Sequence, residues 1–334
     1  MTKDELRRLA SSVVLTGFAQ ANPDADVENL LDAYEFGGFI FFDRNGASVE
    51  ELRTLTDRLG SRYEGVRPIL SIDQEGGRVM RLREGVSPMP AASEIGERDD
   101  ETYAEQIGSR CAFDLRRAGC NLDLAPVLDL AVDPRNTVIG SRSFGADPAK
   151  VTRLARAFAR GLERGGIVAT YKHFPGHGAT PVDSHLALPV IDVDEATLRA
   201  RDLVPFAAVA ARARAMMSAH VIVKTLDPDN PGTLSSRILQ DLLREEFHFG
   251  GVCFSDCLQM KAIADGVGSV EGGLLAMRAG CDVLTVSHDP YLAAAIVDRL
   301  MQAVTQGDLN VDRLHEAATR VQALRASLQP PLAA

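Results

Sequence analysis

The sequence predicts an α/β fold, a (β/α)8 barrel of the TIM type, and three observations support this prediction. Eight short apolar runs, rich in β-branched or aromatic residues, alternate with longer helical patterns along the 334 residues. The runs are continuously apolar, as expected of parallel strands that are covered on both faces. No linker rich in Ser, Gly or Pro divides the chain. We therefore expect a single barrel domain over residues 1–328 and a short C-terminal tail over residues 329–334.

The eight candidate strands follow one another at intervals that leave room for helices. They are residues 12–19, 37–42, 67–72, 120–128, 166–171, 215–223, 251–255 and 282–287. None approaches the run of about 20 apolar residues that a membrane-spanning helix needs.

Three of the intervening helices can be read from their periodicity. Residues 151–166 place apolar residues four positions apart and end at Gly165–Gly166. Residues 235–247 predict a helix that starts at a serine cap, and the last helix is expected near 310–328. The residues expected on the inner faces are Leu154, Phe158 and Leu162 in the first, Ile238, Leu239, Leu242 and Leu243 in the second, and Val311, Leu314, Val321 and Leu324 in the third.

The net charge, the N-terminal residues and the cysteines indicate which partners and which compartment to expect. The net charge is −10 and the pI is about 5.3, and no run of Lys or Arg offers the basic face that nucleic acid requires. The charged N-terminus, residues 1–14, lacks the apolar core of a signal peptide. The five cysteines form no C-x-x-C pair, which fits a reducing compartment. We expect a cytoplasmic monomer with neither a nucleic-acid partner nor membrane contact.

Polar and ionisable residues cluster at the ends of successive candidate strands. In a barrel these carboxyl ends converge on one rim, where active sites lie. The alternative is that polar residues simply mark the loops that follow strands, since loops are commonly polar. The residues concerned are Asp43, Arg44, Asn45, Asp73, Glu75, Lys172, His173, His220, Asp256, His288 and Asp289.

Residues 171–185 hold three histidines, and the segment YKHFPGHGATPVDSH has more than one interpretation. Lys172 and His173 follow a strand expected to end near residue 171, and Pro175 with Gly176 and Gly178 predicts a sharp bend with positive φ at the glycines. Asp183 and His185 are two positions apart, so an extended backbone would place them on one side. The carboxylate could then orient the imidazole, making His185 a candidate proton donor and acceptor.

Zinc is the competing interpretation of these histidines. His173, His177 and His185 could bind it together with Asp256 or His220, because catalytic zinc takes about three protein ligands. The H-x3-H spacing suits a helix, however, and Pro175–Gly176 prevents one here. A purely structural loop remains the third possibility, since histidines often find partners in nearby backbone.

The segment LSIDQEGGRVMRL, residues 70–82, is a second constellation. Asp73 leaves a strand end, Gly76–Gly77 permits a tight turn, and Arg78 and Arg81 follow. A carboxylate and arginines around such a turn suit a ligand with many hydroxyl groups. An internal ion pair that braces the turn is the alternative.

Two further segments add single candidates. Arg142 lies on a loop between glycines in residues 138–148, which is a weak signal alone. Asp256 follows the apolar run of residues 251–255. As an ionised carboxylate it could attack an electrophilic carbon, although Asp before an apolar run is equally often a helix N-cap.

Together these segments resemble the β-N-acetylglucosaminidase branch of glycoside hydrolase family 3. The matching motifs run in the family's order from about Gly37 to Asp289 and cover most of the chain. KHFPGHG with DSH is specific to this branch, because related β-glucosidases lack the histidine dyad. The motifs are DQEGGRV at 73–79, VIGSRSF at 138–144, KHFPGHG at 172–178, DSH at 183–185 and FSD at 254–256.

The resemblance implies a role for each matching residue. Asp256 would be the nucleophile, and His185, supported by Asp183, the general acid/base. The terminal sugar would be held by Asp73, Arg81, Arg142, Lys172 and His173. Two positions depart from the family pattern, since Ala179 stands where an acidic residue often follows GHG, and Cys257 follows the nucleophile. These departures bear on substrate preference and rate more than on reaction type.

The implied enzyme is a retaining exo-β-N-acetylglucosaminidase that needs no metal or organic cofactor. Its substrates would be glycans that contain N-acetylglucosamine, above all peptidoglycan (muropeptide) fragments in cell-wall recycling. Two alternatives remain open at this point. One is a zinc-dependent hydrolase that uses the same histidines, and the other is a sugar-binding barrel without turnover.

Overall fold

Eight parallel strands form the centre of the protein. The computed structural model describes residues 1–180 and 188–332. The strands are β1 (Val14–Thr16), β2 (Gly38–Phe41), β3 (Ile69–Ile72), β4 (Leu122–Asp123), β5 (Val168–Phe174), β6 (Ala215–Ser218), β7 (Val252–Phe254) and β8 (Leu284–Val286).

The strands pair in the order β7-β6-β5-β4-β3-β2-β1-β8, and every neighbour in this sheet is parallel. An isolated parallel bridge between Phe254 and Val283 joins the two ends, so the sheet is nearly closed. Parallel neighbours in sequence order, returning to the start, are the arrangement of a (β/α)8 barrel. The predicted fold class is confirmed, and each of the eight predicted runs overlaps one barrel strand.

Two runs end differently from the prediction. The fifth strand continues to Phe174 instead of ending near residue 171, so Lys172 and His173 belong to the strand itself. The sixth run is interrupted, because β6 ends at Ser218 and Ile222–Val223 pairs outside the barrel with Val190–Ile191. Lys172 and His173 of β5 line a pocket, whereas Ser218 and His220 of the sixth run are buried and hydrogen-bonded. An apolar pattern alone does not show where the strand ends at such polar residues.

Helices surround the barrel. They are α1 (Lys3–Ser11), α2 (Ala25–Ala33), α3 (Val49–Gly60), α4 (Ala92–Arg98), α5 (Glu101–Arg117), α6 (Pro148–Arg164), α7 (Glu195–Ala200), α8 (Val204–Ala210), a π-helix (Arg237–Glu246), α9 (Lys261–Ala264), α10 (Ser269–Ala279), α11 (Pro290–Gln306) and α12 (Val311–Ala326).

The three helices predicted from periodicity are present. All of the residues expected on their inner faces are buried except Val311, which is half-buried. Helix α6 ends where Gly166 takes a φ of +85°, a conformation that favours glycine. The predicted serine cap is also found, because the Ser235 hydroxyl accepts the main-chain N–H of Ile238 at 3.3 Å. The helix that follows has π rather than α geometry, which the periodicity of its apolar residues does not distinguish.

Burial divides the described residues into a continuous apolar core and a polar rim. The inner strand residues and the inward faces of the helices form one hydrophobic cluster. Among residues 1–180 and 188–332 we find no helix with the length and apolar character required to cross a bilayer. The carboxyl ends of the strands open on one side of this core, where those predicted site residues that the structure describes meet.

Candidate active site

A pocket of about 560 Å³ opens at the carboxyl ends of the barrel strands. This is the face of a (β/α)8 barrel on which active sites are built. Six of the eight predicted site residues line the pocket, namely Asp73, Arg81, Arg142, Lys172, His173 and Asp256. The remaining two, Asp183 and His185, lie outside the described residues.

Lys172 is a buried ammonium group between two carboxylates. Its Nζ atom lies 2.6 Å from Asp73 Oδ1 and 2.6 Å from Glu75 Oε1, and the residue is 1% exposed. Burial alone would lower the pKa of Lys172, but Asp73 and Glu75 outweigh it and raise the pKa. The lysine therefore stays charged and holds together two acidic side chains that leave β3.

Glu75 pairs with Arg142 as well as with Lys172. The sequence predicted no role for it. Its carboxylate accepts two hydrogen bonds from Arg142, Nε to Oε2 and Nη2 to Oε1, each 2.7 Å long. Burial opposes ionisation of Glu75, yet Arg142 and Lys172 together bring its pKa well below the ordinary value. The one sequence signal was the position of Glu75 just beyond β3. Its pairing with two distant cations depends on the closed barrel.

The turn at Gly76–Gly77 forms as predicted, within a short antiparallel hairpin of Gln74–Gly76 and Val79–Met80. Both glycines have positive φ, +99° and +54°. Arg81 lies 3.6 Å from Asp73 through Nη2 and Oδ2. Arg78 instead donates to the main-chain carbonyls of residues 137–139. The hairpin thus brings Arg81 close to Asp73 in the pocket. It also places Arg78 against the loop of residues 137–139.

A buried carboxylate, Asp129, orients the histidine segment. Its Oδ2 lies 2.6 Å from Nδ1 of His173, and its Oδ1 accepts the main-chain N–H of His177 at 2.6 Å. Burial opposes ionisation of Asp129, but the two histidines lower its pKa. Because Nδ1 donates to Asp129, the Nε2 atom of His173 faces the pocket, 3.5 Å from Nη2 of Arg142. Sequence reasoning missed Asp129, whose only signal was its position immediately after the fourth run.

The bend after β5 uses its two glycines for different reasons. Gly176 has a φ of +125°, as predicted. Gly178 does not have positive φ, so that part of the prediction is wrong. Gly178 is required by space instead, since a Cβ atom there would lie 1.9 Å from the carbonyl oxygen of Leu130. The peptide bonds Lys172–His173 and Phe174–Pro175 are both cis.

Asp256 is half-buried at the end of β7 and faces the pocket. Its Oδ1 accepts the main-chain N–H of Cys257 at 2.7 Å. The next helix, α9, has Met260 at its N-cap position, so the alternative of Asp256 as a helix cap is wrong. Burial opposes ionisation, but neighbouring histidines, the Cys257 N–H and Lys172 lower the pKa of Asp256. The side chain is therefore a carboxylate at neutral pH.

His220 supports the backbone that follows Asp256. Its Nε2 donates to the carbonyl oxygen of Cys257 at 3.0 Å, and its Nδ1 lies 2.8 Å from the Thr233 hydroxyl. That hydroxyl also lies 2.8 Å from the hydroxyl of Ser218. Burial lowers the pKa of His220, which leaves the imidazole neutral with its proton on Nε2. The sequence placed His220 at the rim but did not indicate that it contacts main chain.

The described residues offer limited support for a metal centre. In residues 1–180 and 188–332, no three His, Cys, Asp or Glu side chains are grouped so as to hold a metal ion. Two of the histidines considered as zinc ligands have other partners, since His173 is bound to Asp129 and His220 to Thr233 and Cys257. His185, the third histidine of the segment, lies outside the described range.

The pocket therefore combines one carboxylate facing a concave space with a set of paired acidic and basic groups around it. Residues 1–324 match the family model for the glycosyl hydrolase family 3 N terminal domain. The chain belongs to glycosyl hydrolase family 3, and it is a glycoside hydrolase.

Named relatives agree with the family. The chain is 41% identical over 285 residues to a beta-hexosaminidase of Pseudomonas aeruginosa, covering 83% of each chain. It is 38% identical over 279 residues to a beta-hexosaminidase of Idiomarina loihiensis, covering 82% of this chain and 83% of that one.

A solved structure extends the likeness to the fold. A family 3 beta-N-acetylglucosaminidase from Paenibacillus sp. str. FPU-7 superposes with a TM-score of 0.93 at 36% identity. The match covers 98% of this chain but only 62% of the Paenibacillus chain, so the two proteins share the barrel and differ in overall length.

Proposed function

We propose that this protein is a retaining exo-β-N-acetylglucosaminidase that removes terminal β-linked N-acetylglucosamine. The observation that carries the proposal is Asp256, an ionised carboxylate in the pocket beside a buried network of paired polar groups. Such a carboxylate can attack the anomeric carbon of a bound sugar. The names of the P. aeruginosa and Paenibacillus relatives support N-acetylglucosamine as the sugar.

In this proposal the terminal sugar is held by Asp73, Arg81, Arg142, Lys172 and His173. Carboxylate oxygens accept hydrogen bonds from sugar hydroxyls, whereas guanidinium and ammonium groups donate them. Pairing with Glu75 and Asp129 fixes the positions of these donors before substrate arrives. Less conformational entropy is then lost when the sugar binds.

The proposed reaction has two steps. In the first, Asp256 attacks C1 while protonated His185 gives its proton to the glycosidic oxygen, so the C1–oxygen bond breaks and a glycosyl ester forms. In the second, neutral His185 takes a proton from water, whose oxygen attacks C1 and releases Asp256. Asp183 orients the imidazole throughout. A histidine thus takes the place of the second carboxyl group that most retaining glycosidases use.

We further propose that the natural substrates are peptidoglycan (muropeptide) fragments and that the enzyme acts in the cytoplasm during cell-wall recycling. The support is the KHFPGHG and DSH motifs, which resemble those of the branch with that role. No step of the reaction requires a metal ion or an organic cofactor.

The proposal is tested with a pair of aryl glycosides that differ only at C2. We expect aryl N-acetyl-β-glucosaminide to be hydrolysed with a kcat/KM at least about 100-fold above that of aryl β-glucoside. The 2-acetamido group must make its own contacts to achieve this, and a missing set of polar contacts costs a factor of that order. Equal rates on both glycosides would contradict the proposed substrate.

Two further measurements separate this proposal from its alternatives. Activity that disappears with a chelator and returns with zinc would favour the zinc-dependent hydrolase. Binding of N-acetylglucosamine with no release of aryl alcohol would favour a non-catalytic barrel. His185→Ala should slow a substrate with a poor leaving group more than an activated aryl glycoside, because only the former needs the proton. Equal losses on both would argue against His185 as the acid.

A further inference from the structure

Two stretches of described chain flank Asp183 and His185, the proposed acid/base pair, in the sequence. The later stretch includes Val190–Ile191, which pairs in parallel with Ile222–Val223 outside the barrel. The N–H of Ile222 donates to the carbonyl oxygen of Pro189 at 2.9 Å. These bonds join main-chain atoms, so the chain that follows His185 is fixed through its backbone.

The earlier stretch, residues 177–180, is held by the side chain of Asn136, which belongs to the connection between β4 and α6. The Nδ2 atom of Asn136 donates to the carbonyl oxygens of His177 at 2.8 Å and Gly178 at 3.2 Å, and it lies 3.3 Å from the hydroxyl of Thr180. Asn136 is 5% exposed, so water competes little for these acceptors. One amide group therefore ties this connection to the chain that leads to Asp183.

The orientation of this amide group is set by its own loop. The Oδ1 atom of Asn136 accepts the main-chain N–H of Ile139 at 2.9 Å. Because an N–H group can only donate, the amide oxygen faces Ile139 and the amide nitrogen faces residues 177–180. Arg78 holds the same loop by donating to the carbonyl oxygens of Thr137 at 2.7 Å and Ile139 at 3.3 Å. The amide donor is thus fixed by contacts within the protein itself.

Thr180 connects this contact to the proposed acid/base. The residue is fully buried, and its hydroxyl donates to the carbonyl oxygen of His177 at 3.0 Å and lies 3.0 Å from Nδ1 of the same histidine. Asp183 and His185 stand three and five positions after Thr180. A displacement of Thr180 would therefore move the point from which the chain continues toward both residues.

We propose that Asn136 is a positioning residue for the general acid/base His185. This inference rests on the proposed function and deepens it, because it identifies a described residue that sets where the chain leading to the acid begins. Proton transfer requires His185 within hydrogen-bond reach of the glycosidic oxygen, and a misplacement of about 1 Å costs about 100-fold in rate. Asp256 is held separately by the N–H of Cys257, so Asn136 affects proton transfer and leaves the nucleophile in place.

The test compares two aryl N-acetyl-β-glucosaminides whose leaving groups differ in basicity. Phenolate is a poor leaving group that needs a proton from His185, whereas 2,4-dinitrophenolate departs as a stable anion. The value of kcat/KM reports the first chemical step for both glycosides. We expect Asn136→Ala to lower kcat/KM about 10- to 100-fold on the phenyl glycoside and less than about threefold on the dinitrophenyl glycoside.

Asn121→Ala is the matched control, because Asn121 is also a buried asparagine that bonds main chain, but it lies at the amino end of β4. It is 2% exposed, its Nδ2 donates to the carbonyl oxygen of Pro68 at 2.9 Å, and its Oδ1 accepts the N–H of Leu70 at 2.8 Å. Loss of these bonds should destabilise the protein, which denaturant unfolding measures, and should leave the ratio of the two kcat/KM values as in the wild type. An equal change of the ratio in Asn121→Ala and Asn136→Ala would overturn the inference.

Thr180→Val is a second variant, in which the side chain keeps nearly the same shape. It removes the hydroxyl that lies beside Nδ2 of Asn136 and Nδ1 of His177. We expect the ratio of the two kcat/KM values to change in the same direction by about three- to tenfold, as for the loss of one buried hydrogen bond. The result for Thr180→Val decides the question if Asn136→Ala does not fold.

His185→Ala, measured on the same two glycosides, separates this inference from the proposed function. A larger loss on the phenyl glycoside in both His185→Ala and Asn136→Ala would support the inference. Equal losses on the two glycosides in Asn136→Ala, together with a larger loss on the phenyl glycoside in His185→Ala, would overturn it and leave the proposed acid intact. Equal losses in His185→Ala would overturn the role of His185 and this inference with it.

Discussion

The imidazole of His220 donates from Nε2 to the carbonyl oxygen of Cys257, over 3.0 Å. Cys257 immediately follows Asp256, and its own N–H donates to the Asp256 carboxylate at 2.7 Å. The main chain of Cys257 therefore accepts a hydrogen bond from His220 through its carbonyl oxygen and donates one to Asp256, the proposed nucleophile, through its N–H. The segment that carries Asp256 is therefore braced by a residue from the loop that follows a different barrel strand, β6.

We predict that His220→Phe lowers kcat about 10- to 100-fold and changes KM by less than threefold. The variant loses one buried hydrogen bond and leaves the Cys257 carbonyl unsatisfied, a cost of about 1–3 kcal/mol. His220→Gln keeps a donor and should recover part of the activity. Steady-state kinetics on an aryl N-acetyl-β-glucosaminide would check this. Equal activity of His220→Phe and wild type would show that the contact does not position Asp256.

Glu75→Gln should destabilise the protein by about 3–5 kcal/mol, because it leaves the buried cations Lys172 and Arg142 short of one counter-charge. It should also raise KM, since both cations belong to the proposed sugar site. Denaturant unfolding and steady-state kinetics measure the two effects. Glu97→Gln, at an exposed position, is the control. A stability loss no larger than that of the control would contradict the claim that Glu75 stabilises the protein by neutralising Lys172 and Arg142.

Gly178→Ala tests whether the histidine segment packs as tightly as the structure shows. A Cβ atom at Gly178 would lie 1.9 Å from the Leu130 carbonyl oxygen, whereas one at Gly250 has no atom within 4 Å. We expect Gly178→Ala to lose at least about 2 kcal/mol of stability through forced backbone movement, and Gly250→Ala to change it by less than 1 kcal/mol. Thermal unfolding of the two variants under the same conditions compares their stabilities. Similar melting temperatures would contradict the close approach.

Stability should fall on mild acidification because of the buried neutral histidines. Burial lowers the pKa of His177 and His220 below the ordinary value of 6.5. As pH falls through about 6.5, the unfolded chain binds protons at these positions and the folded chain does not. Stability is thus complete above that pH and lost below it, by at most about 1.4 kcal/mol per pH unit for each histidine.

Urea unfolding between pH 7.5 and 5 would measure this slope. We expect His220→Gln to reduce it, because one of the titrating groups is gone. Glu75 and Asp129, whose pKa values are lowered, add a loss only below the ordinary pKa of a carboxyl group. A slope that His220→Gln leaves unchanged would show that the imidazole is not held neutral.

The barrel could be predicted because its strands are buried on both faces and therefore read as continuous apolar runs. Where polar residues enter a strand, the pattern fails, as in the extension of β5 to Phe174 and the early end of β6 at Ser218. Helix type was also beyond the pattern, since the buried residues of Arg237–Glu246 fit an α-helix as well as the π-helix that forms.

The site could be predicted in part. Asp73, Lys172 and Asp256 were identified because each directly follows a predicted apolar run, and the structure brings them into one pocket. Glu75 and Asp129 act through partners on distant strands, and a linear sequence does not show which cation or histidine each one meets. The roles of Asp183 and His185 stay predictions. Their spacing suggests a hydrogen-bonded pair, but these residues lie outside the described range.

The central claim is that Asp256 forms a covalent bond to the anomeric carbon. The most direct test incubates the enzyme with a 5-fluoro N-acetyl-β-glucosaminyl fluoride, whose slow second step allows the glycosyl-enzyme to accumulate, and maps the added mass by peptide mass spectrometry. The account predicts one sugar per chain, attached to Asp256 and absent from Asp256→Ala. Attachment to another residue, or turnover of the reagent by Asp256→Ala at the wild-type rate, would contradict it.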